Sequence, residues 1–187
     1  MTDTPGGSAR ATDRILVVDF GAQYAQLIAR RVREANVFSE IVPHDLSADE
    51  YAARRPTGII FSGGPASVHV DGAPRIDPGV YDLRVPILGI CYGAQLIAHQ
   101  RGGVVGRNER GEYGRTELTV GTPGTLLADA GSGTHPVWMS HFDPITGPPE
   151  GATVTSSSPV APVAAFETAQ AGLYAVQCHP DVQPPPL

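Results

Sequence analysis

The stretch VPILGICYGAQLIAHQ, Val85 to Gln100, changes its periodicity halfway along. Val85, Ile87, Leu88 and Ile90 form a short β-prone run opened by Pro86, the pattern of a buried strand. From Ala94 onward, Leu96, Ile97 and the small Ala98 suit a helix instead. Cys91 therefore stands at a strand-to-helix corner, inside Gly89-Ile90-Cys91-Tyr92-Gly93. A nucleophile on such a corner projects beyond the end of the sheet, and small neighbours keep other side chains clear of it. The start of a helix carries partial positive charge, which favours thiolate over thiol. The amide of Tyr92 can donate to an oxyanion formed there. The same pattern also fits a buried structural cysteine, because free Cys is among the most buried residue types. The corner alone leaves both readings open.

Strands and helices alternate on the N-terminal side of that corner. RILVVDF (Arg14 to Phe20) reads as a buried strand broken by Gly21. AQYAQLIARRVREAN follows as a helix with Tyr24, Leu27, Ile28, Val32 and Ala35 along one face, and Asn36 is its stop. VFSEIV (Val37 to Val42) is a second strand. SADEYAARR is a short helix, with Ser47 and Glu50 spaced as a capping box. TGIIFSGGP is a third strand running into a glycine turn, and DPGVYDLR supplies one or two helical turns before VPILGI. Strands alternating with helices imply a parallel sheet with helices on both faces. The second half is different: RTELTV, VWMSH, ATVTSS, PVAAFE and LYAVQC are strand candidates, with TLLAD as the one helical candidate between them. The expected fold is α/β: a Rossmann-like, mostly parallel sheet flanked by helices, with an antiparallel extension in the C-terminal half. A flexible leader over residues 1–13, one domain over 14–182 and a proline-rich tail over 183–187 complete the expected organisation.

Composition narrows the function classes. A chain of 187 residues with 41% hydrophobic residues suits one domain with a sizeable core. A net charge of −6 and the lack of a basic cluster argue against a nucleic-acid surface. No apolar run approaches the roughly 18 residues that a membrane span needs. Two cysteines make no disulfide framework, so a reduced, cytoplasmic protein is expected. Neither phosphate-loop nor dinucleotide glycine patterns occur, and one Cys-His neighbour pair is a poor zinc pattern.

Ligands of open parallel sheets bind beyond the carboxyl ends of the strands. Besides Cys91, two features fall there. In FSGGP, Gly63 and Gly64 let backbone amides approach a ligand, although Gly-Gly-Pro is equally an ordinary turn. In LYAVQCHPDV, His179 follows the last strand and Asp181 comes two residues later. A thiol, a histidine base and a carboxylate to orient it would make a triad. Cys178 would point away from His179 on an extended strand and is expected in the core. His141 in VWMSHFD is a weaker candidate for base or substrate contact.

With these residues in hand, the sequence resembles the class I (triad) glutamine amidotransferases, most closely the amidotransferase domains of GMP synthases. The matching motifs are VVDFGAQYAQLIARRVRE, FSGGP, GAPRID, GICYGAQ, EYGRTEL, VWMSH and VQCHPDV, in the family's order from about residue 14 onward. The resemblance implies a flavodoxin-like fold and hydrolysis of glutamine, with the ammonia passing to an ATP pyrophosphatase (synthetase) partner that aminates XMP to GMP. It implies Cys91 as nucleophile, His179 as base, Asp181 as third triad member, and Gly64 and Tyr92 as oxyanion-hole amides. Gln95 and Ser140 fall at glutamine-binding positions. ATP and Mg would bind the partner, so no cofactor is expected in this chain. Three departures stand out. Asp181 replaces a glutamate and is one methylene shorter. Phe142 replaces a glycine, which would visit positive φ more cheaply. Cys178 replaces the usual aromatic residue before the histidine. No ATP pyrophosphatase follows DVQPPPL in these residues, so the synthetase is expected on another chain. A stand-alone glutaminase and a non-catalytic module on the same fold are the alternatives.

Overall fold

The computed structural model describes residues 13–64, 67–107 and 111–180. Most of the leader, and the whole tail, lie outside the described residues. The elements in chain order are β1 (Arg14–Asp19), α1 (Tyr24–Glu34), β2 (Phe38–Pro43), α2 (Ala48–Ala53), β3 (Gly58–Phe61), a 3-10 helix (Pro78–Leu83), β4 (Ile87–Ile90) and α3 (Tyr92–Gln100). Then follow β5 (Val104–Val105), β6 (Glu112–Val120), β7 (Gly133–His141), β8 (Ile145–Gly147), β9 (Thr153–Ser157), β10 (Ala165–Thr168) and β11 (Leu173–Val176).

Among the described residues, nine strands form one sheet in the order β2-β1-β3-β4-β11-β10-β9-β6-β7, and β5 pairs with β8 apart from it. The first five strands are parallel. The remaining four continue the sheet antiparallel. This is the expected parallel sheet with an antiparallel extension.

Alternation along β1 explains why helices cover both faces. Leu16 and Val18 pack in one core with Leu96 and Ile97 of α3 and Tyr51 of α2. Val17, between them, packs in a second core with Ala25, Ile28 and Ala29 of α1. Successive residues of a strand face opposite sides, so a strand buried on both must be apolar throughout. Full burial of each such side chain contributes about 1.5–3 kcal/mol. On the outer side of α1, the Arg30–Glu34 and Arg31–Glu34 pairs at 2.9 and 3.0 Å are exposed. They contribute a few tenths of a kcal/mol. Asn36 ends the helix at φ 60°. The capping box of α2 is formed: Ser47 N donates to Glu50 Oε2 at 2.8 Å, and Glu50 N donates to Ser47 Oγ at 3.4 Å.

One expectation is corrected, and one pair of strands was not expected. TLLAD is a run of turns, not a helix. The buried Glu167 carboxylate accepts the N–H groups of Thr125 and Leu126 at 2.9 and 3.2 Å, and Gly124 sits at φ 62°. A five-residue segment whose first amides are held by another strand has too little left to nucleate a helix. The β5–β8 ribbon has no counterpart among the expected elements; two- and three-residue strands carry no periodicity to read. No helix among the described residues is long and apolar enough to cross a membrane.

The topology places the site. The chain leaves β1 to one side for β2 and to the other for β3, so a crevice opens at the carboxyl ends where the order reverses. The ends of β1, β3, β4 and β11 are neighbours there.

Candidate active site

Cys91 is the residue between β4 and α3, and its backbone sits at φ 52°, ψ −106°. A residue with a Cβ rarely adopts that conformation, and it costs about 1–3 kcal/mol. The surroundings hold it there. Cys91 N donates to Val176 O at 2.8 Å, and Gly93 N donates to Ser62 O at 3.1 Å. The two flanking glycines are required by close approach. A Cβ on Gly89 would lie 2.6 Å from the Gly93 carbonyl carbon, and one on Gly93 would lie 2.6 Å from Phe61 Cβ. The spacing in Gly89-Ile90-Cys91-Tyr92-Gly93 thus lets α3 start directly on the ends of β3 and β4. The thiol is buried and lies 3.4 Å from the Ser140 carbonyl, to which it donates.

A cavity of about 350 Å³ opens over the thiol. It gathers Gly64, Cys91, Tyr92, Gln95, Ser140 and His179, six of the seven residues singled out from the sequence. The seventh, Asp181, lies outside the described residues. His179 is buried; its ring packs on Tyr24 with centroids 4.5 Å apart, and its backbone N–H donates to Trp138 O at 2.9 Å. A Cβ on Gly63 would come within 3.3 Å of the His179 ring. One on Gly64 would come within 3.0 Å of the Tyr92 ring, so this loop must be glycine to lie against both. Tyr92 opens α3, and its N–H is one of the helix's unpaired first donors. The Tyr92 phenol is pushed up to about 12 by burial and donates to Pro74 O. Cys178 does not line this cavity. It packs with Val17, Leu118 and Met139 in the second core, as expected, although it sits in a bend past the end of β11 and not on an extended strand.

Gln95 serves the wall of the cavity. Its Nε2 donates to Asp143 O at 2.7 Å. Gln177, fully buried and not singled out from the sequence, holds the same segment: Nε2 donates to Asp143 O at 3.3 Å and Oε1 accepts Ile145 N at 2.7 Å. The Asp143 carboxylate accepts the Ser67 hydroxyl in a short contact. That bond ties the segment from Ser140 to Asp143 to the loop after Gly64. Asp143 is the single carboxylate lining the cavity among the described residues. Phe142 is half exposed at the cavity's mouth and is not among the residues at positive φ. The segment therefore holds it without the cost of a non-glycine residue at positive φ.

Behind the cavity, His141 Nε2 lies 3.2 Å from Glu112 Oε2, an ion-pair contact whose angle falls short of an aligned hydrogen bond. Burial holds the His141 imidazole below its usual 6.5, against the upward pull of Glu112 and Asp143 and together with the repulsion of His179. His99 is lowered in the same direction by burial, Arg75 and His69. An unfolded chain takes up these protons near pH 6.5 and the folded chain does not, so acidification removes stability. Thermal melts are expected to be flat from about pH 8 to 7 and to fall below about pH 6.5. His141→Gln should make that fall shallower; an unchanged slope would contradict the assignment. No group of three or more His, Cys, Asp or Glu that could hold a metal ion occurs among the described residues.

Comparison with known proteins fits this geometry. Residues 16–187 match the model of the family described as glutamine amidotransferase class-I. The chain is 55% identical over 184 residues to the GMP synthase (glutamine-hydrolyzing) of Mycobacterium tuberculosis, covering 98% of this chain and 34% of that protein. It is 56% identical over 168 residues to the enzyme of the same name from Corynebacterium diphtheriae, covering 90% and 32%. The chain thus spans about a third of the length of these relatives. Among solved structures, a Thermoplasma acidophilum protein assigned as one of the subunits of GMP synthase superposes with a TM-score of 0.78 at 32% identity, over 93% of this chain and 87% of that one. A Thermotoga maritima glutamine amidotransferase, at 19% identity and TM-score 0.70 over 92% and 78% of the two chains, shares the fold.

Proposed function

Because the chain belongs to the class-I glutamine amidotransferase family, we propose that it hydrolyses the side-chain amide of glutamine at Cys91. The ammonia would serve a synthetase partner that aminates XMP to GMP with consumption of ATP. One observation carries the reading: Cys91, held at positive φ on its corner, shares a cavity with a buried histidine and with Gly64 and Tyr92.

The chemistry follows from the positions. The Cys91 proton passes to His179, and the sulfur attacks the amide carbon. The carbonyl oxygen becomes an oxyanion that the N–H groups of Gly64 and Tyr92 stabilise. His179 returns the proton to nitrogen, the C–N bond breaks, and ammonia leaves a γ-glutamyl thioester on Cys91. Water, deprotonated by the same imidazole, attacks the thioester; the C–S bond breaks to give glutamate and the thiol. Asp181 orients His179 in the third triad position. Asp143, the lone carboxylate of the cavity wall among the described residues, fits the substrate's α-ammonium, and the arm from Ser140 to Asp143 carries the α-groups.

The test is ammonia release from glutamine by the purified chain, alone and with the remaining two-thirds of the mycobacterial relative plus ATP and XMP. Slow release alone and a rise on adding the partner, ATP and XMP are expected, since a glycine loop is easily moved and a partner can order it. Fast release that ignores the partner would support a stand-alone glutaminase. Glutamine binding without release under either condition would support a non-catalytic module.

A further inference from the structure

We propose that Tyr24 is a positioning residue for His179: its ring holds the imidazole in place and stabilises the imidazolium formed when Cys91 gives up its proton. This rests on the function proposed above and adds a residue of α1 to the same site.

From the sequence, Tyr24 is one of the apolar positions along α1, a core residue like Ile28. The structure gives it a second neighbour. Tyr24 is the first residue of α1, half-buried against the second core, and it also lines the cavity over Cys91. Its ring and that of His179 have centroids 4.5 Å apart and planes 35° apart. Aromatic pairs lie about 4.5–7 Å apart, so this one is at the close limit. A tilt of 35° is nearer to stacking than to an edge-on contact. Gly63 makes the approach possible: a Cβ there would lie 3.2 Å from Tyr24 Cδ2 and 3.3 Å from His179 Cε1. The base, the phenol ring and the loop that carries Gly64 thus meet at one point.

The backbone of His179 is fixed separately, by the N–H that donates to Trp138 O on β7. That bond sets where the chain runs and leaves the side-chain torsions to be chosen by what the ring touches. Tyr24 supplies that contact, and it has an electrostatic consequence. His179 is 2% exposed, so the proton from Cys91 creates a positive charge away from bulk water. An aromatic face within about 6 Å of a cation attracts it, and more strongly where water is excluded. The titratable groups around His179 are Cys91 and Asp143 on the cavity wall, His141 at the end of β7, Cys178 beside it in the chain and Asp181 two residues on. All of them stay in place when only Tyr24 is changed, so a shift in proton transfer then belongs to its ring.

The experiment follows alkylation of Cys91 by iodoacetamide on the intact chain, read by peptide mass spectrometry from about pH 6 to 10. Tyr24→Leu is expected to slow alkylation about fivefold near pH 7, where the imidazole must hold the thiol's proton. The difference should shrink to less than about twofold near pH 10, where the thiol ionises without the imidazole. Tyr24→Phe, which keeps the ring, should recover most of the rate near pH 7. Pentafluorophenylalanine in place of Tyr24 keeps the shape but loses the negative face, and should behave as the leucine variant does. In ammonia release, the leucine variant should lose kcat with KM for glutamine within about twofold. Equal slowing at every pH would show a ring that only packs α1 on the sheet, and would overturn the proposal. A leucine variant that follows the parent throughout would overturn it too. Should Tyr24→Leu fail to fold, the fluorinated ring against Tyr24→Phe decides. A parent chain whose Cys91 reacts only as an ordinary thiol, with a midpoint near about pH 8.5, would instead overturn the proton transfer to His179 and the function proposed above.

Discussion

Cys91→Ser is expected to lower ammonia release from glutamine by at least about 1,000-fold, with KM for glutamine changed little. The reason lies in the corner. At φ 52° the side chain is held out from the end of β4 toward the cavity, so no other nucleophile among the described residues occupies its place. Serine keeps the shape and the bond to Ser140 O, but its hydroxyl remains a weak nucleophile beside a histidine arranged for sulfur. Since only one atom changes, folding should be intact, and the thermal midpoint should move by no more than a few degrees. Cys178→Ser supplies the contrast. It lies in the second core and outside the cavity, so any loss it causes should appear as lowered stability, with turnover kept. The reverse pattern, with Cys178 carrying the activity, would require rebuilding the site around the other end of the His179 segment.

Gly93→Ala has the second largest expected effect. Its Cβ would lie 2.6 Å from Phe61 Cβ and 2.8 Å from the Phe61 carbonyl carbon, and would press on the Phe61 carbonyl oxygen. Most of these atoms are backbone, so α3 must lift off the ends of β3 and β4. Overpacking of this kind costs about 3 kcal/mol or more, which lowers the melting midpoint of a domain this size by roughly 6–12 °C. The same shift displaces Cys91 and the Tyr92 amide together, and a misplacement near 1 Å costs on the order of 100-fold in rate. Gly121→Ala is the control. Nothing lies within 4 Å of the added carbon, and its φ is not positive, so it should stay within about 0.5 kcal/mol of the parent. If both glycine variants melt together, the close approach of helix and strand is not what demands glycine.

The parallel half of the fold was legible because its signals are local and repeated. Apolar runs such as Ile15 to Val18, the Ser47–Glu50 cap and the stop at Asn36 each state a boundary without help from distant residues. The antiparallel half was legible in outline only. Along β6 the more and less buried positions alternate regularly, but Glu112, Gly114 and Thr116 stand where apolar residues would mark the inner face, and the strand's start at Glu112 is decided by its partner β7. TLLAD failed as a helix for the same kind of reason, since Glu167, forty-odd residues away, captures its first amides.

The site divides along the same line. Cys91, Gly64, Tyr92 and His179 stand in short motifs whose spacing encodes a corner or a turn. Gln177 and Glu112 carry no such signal, because each acts through a contact with a residue some thirty positions away. A buried polar residue beside a motif is the one trace they leave: Gln177 precedes the Cys178-His179 pair, and Glu112 opens EYGRTEL. The steric concern about Phe142 came from reading the segment as if it needed a glycine's backbone. The fold carries Phe142 at a φ that is not positive, half exposed on the lining of the cavity.

The most direct measurement is an acid quench of the working enzyme, with partner, ATP, XMP and saturating glutamine, followed by peptide mass spectrometry of the thiols. The account predicts a γ-glutamyl adduct on the peptide holding Cys91, none on the peptide holding Cys178, and its accumulation when His179→Asn slows the attack of water. An adduct on Cys178, or full ammonia release with no adduct on either cysteine at any quench time, would contradict it.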